Sequence, residues 1–363
     1  MRRARQKPKT LSPTSKSDDC DFWLWANFFR FNGYGDLSRN LAIELTRLTR
    51  LAIQAPPTFY QQLHDLGLWS RVRSNRLHKG PTLSIQPTFS QMLPPRAPGS
   101  AIYTMFECDR LLPAWREKLS KFDLVLMPSN ENAFHFRDQL RAPIAVVPLG
   151  IDFDHYHFQP PKKRSIFRFG TAGHLGHGAT RKGLFRVVEW FLDAFPPSVT
   201  DVRLSIKLNR GFEEVETHGD PRIELFAGDL STQALADWHH SLDVYADGST
   251  YEGWGMFPCN SLACGRAVVG TYYGARREYL RFGNHVSIGY RIKLADEKFQ
   301  HLGGAWAVPD HSDGVEALRW CYNNPAEVER MGERAAESVH HLTWRRCAEG
   351  VLSEMKKAGI FRQ

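Results

Sequence analysis

One acidic residue in a glycine-rich loop is the first candidate for chemistry in this sequence. Glu252 lies in the run 249–257, with Gly253 and Gly255 close behind it. Glycines let a backbone approach a ligand closely and adopt positive φ. The residues that follow predict a helix, and the amides of a helix N-terminus suit a phosphate. A carboxylate does not serve that phosphate, so we expect Glu252 to accept hydrogen bonds from hydroxyl groups instead.

The elements that position this loop follow it directly in the chain. Pro258 suits the first turn of a helix, the run 261–264 continues that helix, and Gly265 ends it. Ala267–Gly270 is a short apolar run, typical of an interior parallel strand. A loop and a helix that merely cap a sheet edge would give the same local pattern, and a lone glycine-rich loop is a weak motif.

The runs 249–257 and 263–269 together resemble the donor-site signature of family 4 glycosyltransferases, which have the GT-B architecture. That signature usually has two glutamates separated by seven residues. Glu252 matches the first, which in the family contacts the transferred sugar. Asn260 stands where the second, a ribose ligand, usually lies, and an asparagine can also hydrogen-bond a hydroxyl. The resemblance implies further donor contacts at Gly253, Trp254, Gly255, Met256 and Phe257.

A second glycine turn follows the apolar run 166–173 and leads into an amphipathic helix. In the resembled family this turn carries an arginine and a Lys-Gly pair that hold the donor diphosphate. Lys182 and Gly183 match the pair, His174 stands at the arginine position, and Arg181 is a second candidate cation. A surface lysine is the alternative for Lys182, but its expected place at a helix start favours a ligand role. Lys207, near the end of the next strand, is a further phosphate candidate, although a solvated lysine explains it too.

The first half of the chain opens in the same way. The run 21–29 predicts a strand, and a helix follows with Asp36 as its expected N-cap. By the resemblance, Gly33 and Gly35 lie in a turn near the donor phosphate and the acceptor; a turn that needs glycine for its geometry alone is the alternative. Glu107 and Asp109 follow a predicted strand and are candidates for acceptor binding or for a general base, with an N-cap role for Asp109 as the alternative.

Strands that alternate with helical segments predict an α/β fold with parallel sheets. The resemblance extends over nearly all of residues 20–360 and implies two Rossmann-like domains that face each other across a cleft. We predict a disordered basic tail at 1–19, an acceptor-side domain at 20–155, a donor domain at 156–342 and a crossing helix at 343–363 that returns to the first domain. The first domain is short, which suits an open acceptor site. The predicted strands lie at 51–54, 82–85, 101–106, 123–127, 144–147, 203–208, 223–226 and 242–246.

Composition limits the class of protein. The net charge is +8, but residues 1–19 hold six of the cations against two carboxylates, so half of the excess lies in the tail. Such a tail could touch anionic lipid or nucleic acid, and a solvated arm is the alternative. The chain has no apolar stretch of membrane-spanning length and no secretory signal pattern. Its six cysteines have no metal-ligand spacing, which favours reduced thiols in a cytoplasmic protein, with at most peripheral contact at the inner face of a membrane.

The sequence therefore predicts a retaining glycosyltransferase of the hexosyltransferase type. The resemblance implies a nucleotide-sugar donor such as a UDP- or GDP-sugar, no metal and no separate cofactor. The acceptor would be a glycan, a lipid-linked glycan or a protein. Two alternatives remain. Asn260 and His174 motivate a degenerate GT-B protein that binds a sugar or nucleotide, or scaffolds a partner, without turnover. The basic tail motivates a nucleic-acid-binding protein, although no specific nucleic-acid motif is present.

Overall fold

The computed structural model describes residues 20–28, 33–73, 80–86, 99–161, 165–173, 179–208, 215–295 and 304–360, without the side chains of 179 and 180. This part of the chain contains two six-stranded parallel sheets and a separate two-stranded hairpin. The predicted fold class, α/β with two Rossmann-like sheets, is confirmed.

The first sheet is built from short apolar strands, five of which are buried throughout. Strands covered on both faces are apolar at every position, rather than alternately. The strand order is β2-β1-β3-β4-β5-β6, and every pair is parallel. The carboxyl ends therefore meet at one edge, where open sheets bind ligands. These strands are β1 (Phe22–Ala26), β2 (Leu51–Gln54), β3 (Thr82–Ile85), β4 (Ser100–Tyr103), β5 (Leu124–Met127) and β6 (Ile144–Val146).

The second sheet repeats this design with the order β12-β11-β10-β7-β8-β9, again all parallel. Its strands are β7 (Phe167–Gly173), β8 (Val202–Leu208), β9 (Ile223–Ala227), β10 (Val244–Ala246), β11 (Ala267–Gly270) and β12 (His285–Ser287). The antiparallel hairpin consists of β13 (Tyr290–Leu294) and β14 (Ala305–Pro309). We call the first sheet with its helices the first unit, and the second sheet with its helices the second unit. The hairpin contacts the first unit, because the Trp306 indole N–H donates to the Glu107 carbonyl at 2.9 Å. The hairpin and β12 were not predicted from the sequence.

Helices pack on these sheets and connect their strands. They are α1 (Gly33–Leu48), α2 (Tyr60–Asp65), α3 (Pro113–Leu119), α4 (Asn130–Phe136), α5 (Ala179–Lys182), α6 (Leu184–Ala194), α7 (Thr232–His240), α8 (Met256–Ala263), α9 (His311–Asn323), α10 (Pro325–Ser338) and α11 (Trp344–Lys357). Single 3₁₀ turns lie at Pro57–Phe59, Trp69–Arg71 and Gly274–Glu278.

The last helix crosses back to the first unit, as the fold class predicted. Thr343 caps α11, because its hydroxyl accepts a hydrogen bond from the Arg346 amide at 3.1 Å. One face of α11, including Val351 and Met355, is buried in the same core as Leu37 and Leu41 of α1. The helix thus joins the two units by apolar packing and not by the chain alone.

The beginning of α1 differs from the prediction. The helix begins at Gly33, so Asp36 lies in its first turn and is not the N-cap. The expected glycine turn is also helical, since Gly33 and Gly35 both belong to that first turn. Glycine costs about 1 kcal/mol in a helix, but a Cβ at Gly33 would lie only 3.2 Å from the Met256 sulfur. The absence of a side chain at Gly33 thus allows close packing against the second unit.

Asp109 is not an N-cap either. The helix that follows it, α3, begins at Pro113. The Asp109 carboxylate instead accepts a hydrogen bond from the Ala305 amide at 2.8 Å, which ties β14 to the first unit. This partner lies nearly two hundred residues away in the chain, and nothing local in the sequence indicates it.

Gly150 allows the crossing helix to dock, and we predict that Gly150→Ala destabilises the protein. An added Cβ would lie 2.3 Å from the Trp344 backbone nitrogen, and backbone atoms cannot move aside cheaply. We expect the free energy of unfolding to fall by about 1–3 kcal/mol, the usual cost of overpacking. A lower Tm of the variant measures this loss. Gly80→Ala is the control, because among the described residues its Cβ would meet only Trp23 side-chain atoms, at 3.7 and 3.9 Å. Equal Tm changes in the two variants would contradict the prediction.

Candidate active site

The loop with the candidate glutamate leaves the carboxyl end of β10, an interior strand of the second sheet. We call residues 247–255 the glutamate loop. It ends at Gly255, the N-cap of α8, which has φ of 89° and so favours glycine. Gly253 meets the first unit, because an added Cβ there would lie 2.9 Å from the Met105 side chain. The loop therefore lies where the two units face each other.

Glu252 is nearly buried and is bound by two cations. Its side chain is 6% exposed, and the Lys182 ammonium donates to its Oε1 at 2.8 Å and its Oε2 at 3.0 Å. The Arg181 guanidinium lies 3.2 Å from Oε1 and also donates to the Tyr251 carbonyl at 2.8 Å. Both cations come from α5. The structure thus brings together three of the four residues predicted for the reaction centre.

The two cations decide the ionisation of Glu252. Burial alone would raise the pKa of its carboxyl, but Lys182 and Arg181 outweigh burial and lower the pKa to about 2. Glu252 is therefore an anion at neutral pH, and its oxygens are hydrogen-bond acceptors only. It suits hydroxyl donors, as the sequence predicts.

Two glycines allow α5 to approach the glutamate loop. Gly183 has φ of 63°, and a Cβ there would lie 2.0 Å from the Gly248 carbonyl oxygen. A Cβ at Gly248 would in turn lie 2.5 Å from the Gly183 oxygen. The Thr250 amide also donates to the Arg181 carbonyl at 2.8 Å. Lys182 was expected at a helix start; it instead ends the single turn α5, and α6 begins after Gly183.

Arg276 anchors the glutamate loop, and it was not predicted as a site residue from the sequence. The side chain is fully buried, and its guanidinium lies 2.9 Å from the Asp247 carboxylate and donates to the Ser249 carbonyl at 2.8 Å. Its Nη2 has no hydrogen-bond partner among the described residues. The nearby Tyr279 hydroxyl donates to the Trp254 carbonyl at 2.9 Å. The place of Arg276 shortly after a buried strand is a sequence signal for this role.

A cavity of about 1670 Å³ joins these groups to the first unit. Arg181, Lys182 and Glu252 line it, together with residues from the carboxyl ends of β1, β3 and β4. The lining also contains most of the remaining predicted donor contacts. These are Gly33, Lys207, Gly253, Trp254, Gly255, Met256, Phe257 and Asn260.

The other predicted residues differ in their surroundings. Glu107 lines the cavity, and its carboxylate lies 4.0 Å from the Arg181 guanidinium. Gly35 and Asp109 are outside the lining. The Lys207 ammonium lines the cavity and donates to the Leu208 and Gly228 carbonyls, both at 2.8 Å, and burial lowers its pKa. His174 lies outside the described residues.

Comparisons with known proteins agree with this architecture. No protein-family model matches the chain. A curated relative, D-inositol 3-phosphate glycosyltransferase of Kineococcus radiotolerans, is 27% identical over 208 residues, which is 55% of this chain and 42% of the relative. A second, of the same name from Arthrobacter, is 28% identical over 41% of this chain and 29% of its own length. The chain therefore spans less than half the length of the curated relatives it matches.

Solved structures cover the chain more completely. Anabaena HepE in complex with UDP has a TM-score of 0.66 at 12% identity, over 93% of this chain and 99% of its own. The chain has the GT-B fold. At this identity the match concerns the fold alone.

Three further observations describe the GT-B chain. Within the described ranges, no helix is both long and apolar enough to cross a membrane. Among the same residues, no three His, Cys, Asp or Glu side chains lie close enough together to hold a metal ion. All six cysteines are free thiols.

We predict that Arg276→Met strongly destabilises the protein. It leaves the buried Asp247 carboxylate without its cation, and breaking a buried ion pair usually costs about 3–5 kcal/mol. The neighbour Arg277 is the control. It pairs with Glu131 but is 42% exposed, so Arg277→Met should cost at most about 1 kcal/mol. Urea or thermal unfolding of both variants measures the difference, and similar losses would show that Arg276 does not anchor the loop.

We also predict a pH dependence for Glu252→Gln. The folded pKa of about 2 lies below the ordinary value of 4.5, so the pairing stabilises the fold above about pH 4.5 and is lost as the pH falls towards 2. The variant should have a lower Tm than wild type at pH 7, and the gap should narrow between about pH 5 and pH 3. The exposed Glu117→Gln is the control and should change little. A Tm difference between wild type and Glu252→Gln that does not change with pH would contradict this pairing.

Proposed function

We propose that the chain is a retaining glycosyltransferase of the family 4 type, which transfers a sugar from a nucleoside diphosphate sugar to a hydroxyl acceptor without a bound metal. One observation carries the proposal: Arg181, Lys182 and Glu252 meet on the wall of the cleft between two Rossmann-like units. This arrangement provides cations for a diphosphate and a fixed carboxylate for sugar hydroxyls. The similarity to proteins named glycosyltransferases supports it.

The donor roles follow from the charges of the second unit. Arg181 and Lys182 would bind the diphosphate, and the exposed amides at the N-terminus of α8 would add to the positive field. Glu252 would accept hydrogen bonds from the hydroxyls of the transferred sugar. Asn260, one turn into α8 and facing the same cavity, would bind a ribose hydroxyl.

The reaction requires stabilisation of a leaving anion. The bond between the sugar C1 and the diphosphate oxygen breaks, and the electron pair leaves with the diphosphate. Fixed cations and helix amides lower the energy of that charge without having to reorganise. Retention requires the acceptor hydroxyl to attack from the face that the diphosphate leaves. We expect the departing phosphate oxygen or Glu107 to accept the hydroxyl proton.

The complex of Anabaena HepE with UDP motivates a uridine or related donor. We propose a glycan, a lipid-linked glycan or a protein as acceptor, and polysaccharide biosynthesis as the setting. Free thiols at all six cysteines suit a reaction in the cytoplasm. No separate cofactor is needed for transfer between a sugar nucleotide and an alcohol.

The first experiment is a thermal-shift screen of UDP, GDP, ADP and CMP and their sugar conjugates. A ligand at 100 times its Kd should add about 2.7 kcal/mol to the free energy of unfolding. We predict that one nucleotide raises the Tm and that Lys182→Ala removes this shift. Lys121→Ala, at an exposed pair with Glu117, is the matched control and should keep it.

Turnover separates the enzyme from a binding protein. We expect Lys182→Ala to lower kcat for donor consumption by about 10²–10³, the usual effect of losing one group that stabilises a developing anion. Unchanged turnover in both Lys182→Ala and Glu252→Ala would sink the proposal. Nucleotide binding without any consumption of donor would instead indicate a GT-B binding protein.

A further inference from the structure

The two walls of the cleft carry opposite charge. We call the described lining residues between 25 and 149 the acceptor wall, and those between 173 and 260 the donor wall. The charged side chains of the acceptor wall are Asp36, Arg39, Asp65 and Glu107. Three carboxylates thus face one guanidinium. The charged side chains of the donor wall are Arg181, Lys182, Lys207, Asp229 and Glu252, so cations exceed carboxylates there.

The cation of the acceptor wall is already bound. Arg39 contacts the Asp36 carboxylate one turn away on α1, so this pair brings no net charge. Asp65, on α2, is 65% exposed at the rim of the cleft. Glu107 lies deeper, next to the reaction centre, and among the described residues its cation partner is Arg181 of the opposite wall. The described part of the acceptor wall therefore presents negative charge to whatever binds between the walls.

The remaining polar groups of the acceptor wall are neutral amides and the hydroxyls of Tyr34 and Thr58. Asn27, Gln61, Gln62 and Gln86 line the cavity, beside the rings of Trp25 and Phe59. An amide both donates and accepts hydrogen bonds, as a hydroxyl does. Aromatic rings add large apolar faces, and pockets lined by rings with a few polar groups are typical of small-molecule recognition.

From this wall we infer that the acceptor is an uncharged, hydroxyl-rich molecule, a glycan or glycoside, and not a phosphate ester. The inference rests on the proposed glycosyl transfer and goes beyond it. A phosphate dianion on this wall would face carboxylates, and like charges placed opposite each other suppress binding strongly. The inferred acceptor therefore differs from the inositol phosphate that the curated relatives have in their name. Acceptor choice here would come from repulsion as well as attraction.

The test is an acceptor panel made of matched pairs, with the donor identified by the thermal-shift screen. Methyl glucoside, methyl mannoside, methyl N-acetylglucosaminide and myo-inositol are each compared with their phosphate esters. We expect at least one uncharged acceptor to accelerate donor consumption above acceptor-free hydrolysis, and its phosphate ester to be at least about tenfold slower, as 1.4 kcal/mol of repulsion would give. A faster phosphate ester, or no acceleration by any uncharged acceptor, overturns the inference.

A charge reversal at the rim gives a second, independent readout. At low salt, Asp65→Lys should lower several-fold the ratio of the rate with the uncharged acceptor to the rate with its phosphate ester. Added salt should remove this effect, because exposed charges are screened. Glu117→Lys, at a 73% exposed position outside the cavity lining, is the matched control and should leave the preference unchanged. Equal effects of the two variants would show that the acceptor wall does not select by charge.

Failure of the inference and failure of the proposed function give different results. A protein that binds no nucleotide and consumes no donor lacks the proposed function itself. A protein that binds a nucleotide, loses that binding in Lys182→Ala and prefers phosphate esters keeps the function and refutes only the inference about the acceptor.

Discussion

The structure of the site depends on the burial of one carboxylate. An ionised side chain with 6% exposure is costly unless it is paired and hydrogen-bonded. Glu252 meets this requirement only if α5 reaches the glutamate loop, and α5 reaches it only because Gly183 and Gly248 have no side chains. Arg276 then fixes the other end of the loop through Asp247. The ion pairs of Glu252 and Asp247 thus position the groups of the second unit that face the cleft.

The same loop also constrains how the units face each other. Gly253 lies against Met105, and the Asn132 amide of α4 donates to the Tyr251 hydroxyl at 3.4 Å. The Glu278 carboxylate accepts a hydrogen bond from the Asn130 amide at the start of α4, where the helix dipole favours an anion. These contacts and the crossing helix join the units at separate places.

The sequence predicted the features that depend on short segments. Buried parallel strands are apolar runs, so most strands of both sheets were recognisable, and Lys182 and Glu252 stood in motifs of their own. Features that depend on distant partners were missed. The close approach of Gly33 to Met256 depends on the second unit, the place of Asp109 depends on β14, and Arg276 acts on a carboxylate 29 residues earlier. None of these partners has a local pattern.

Under the proposed function, the two walls of the cleft meet different requirements. A diphosphate would need cations and helix amides in a fixed geometry, and Arg181, Lys182 and the start of α8 offer these groups on the second unit. The acceptor wall would make no such demand, because an exposed side chain such as Asp65 on α2 can be exchanged without disturbing either sheet. Two chains with one fold can therefore share a donor site and differ in the charge that they accept. For this chain, we therefore infer the acceptor from the charges at Asp65 and Glu107. The name of a curated relative is a weaker guide, because the chain covers less than half of that relative's length.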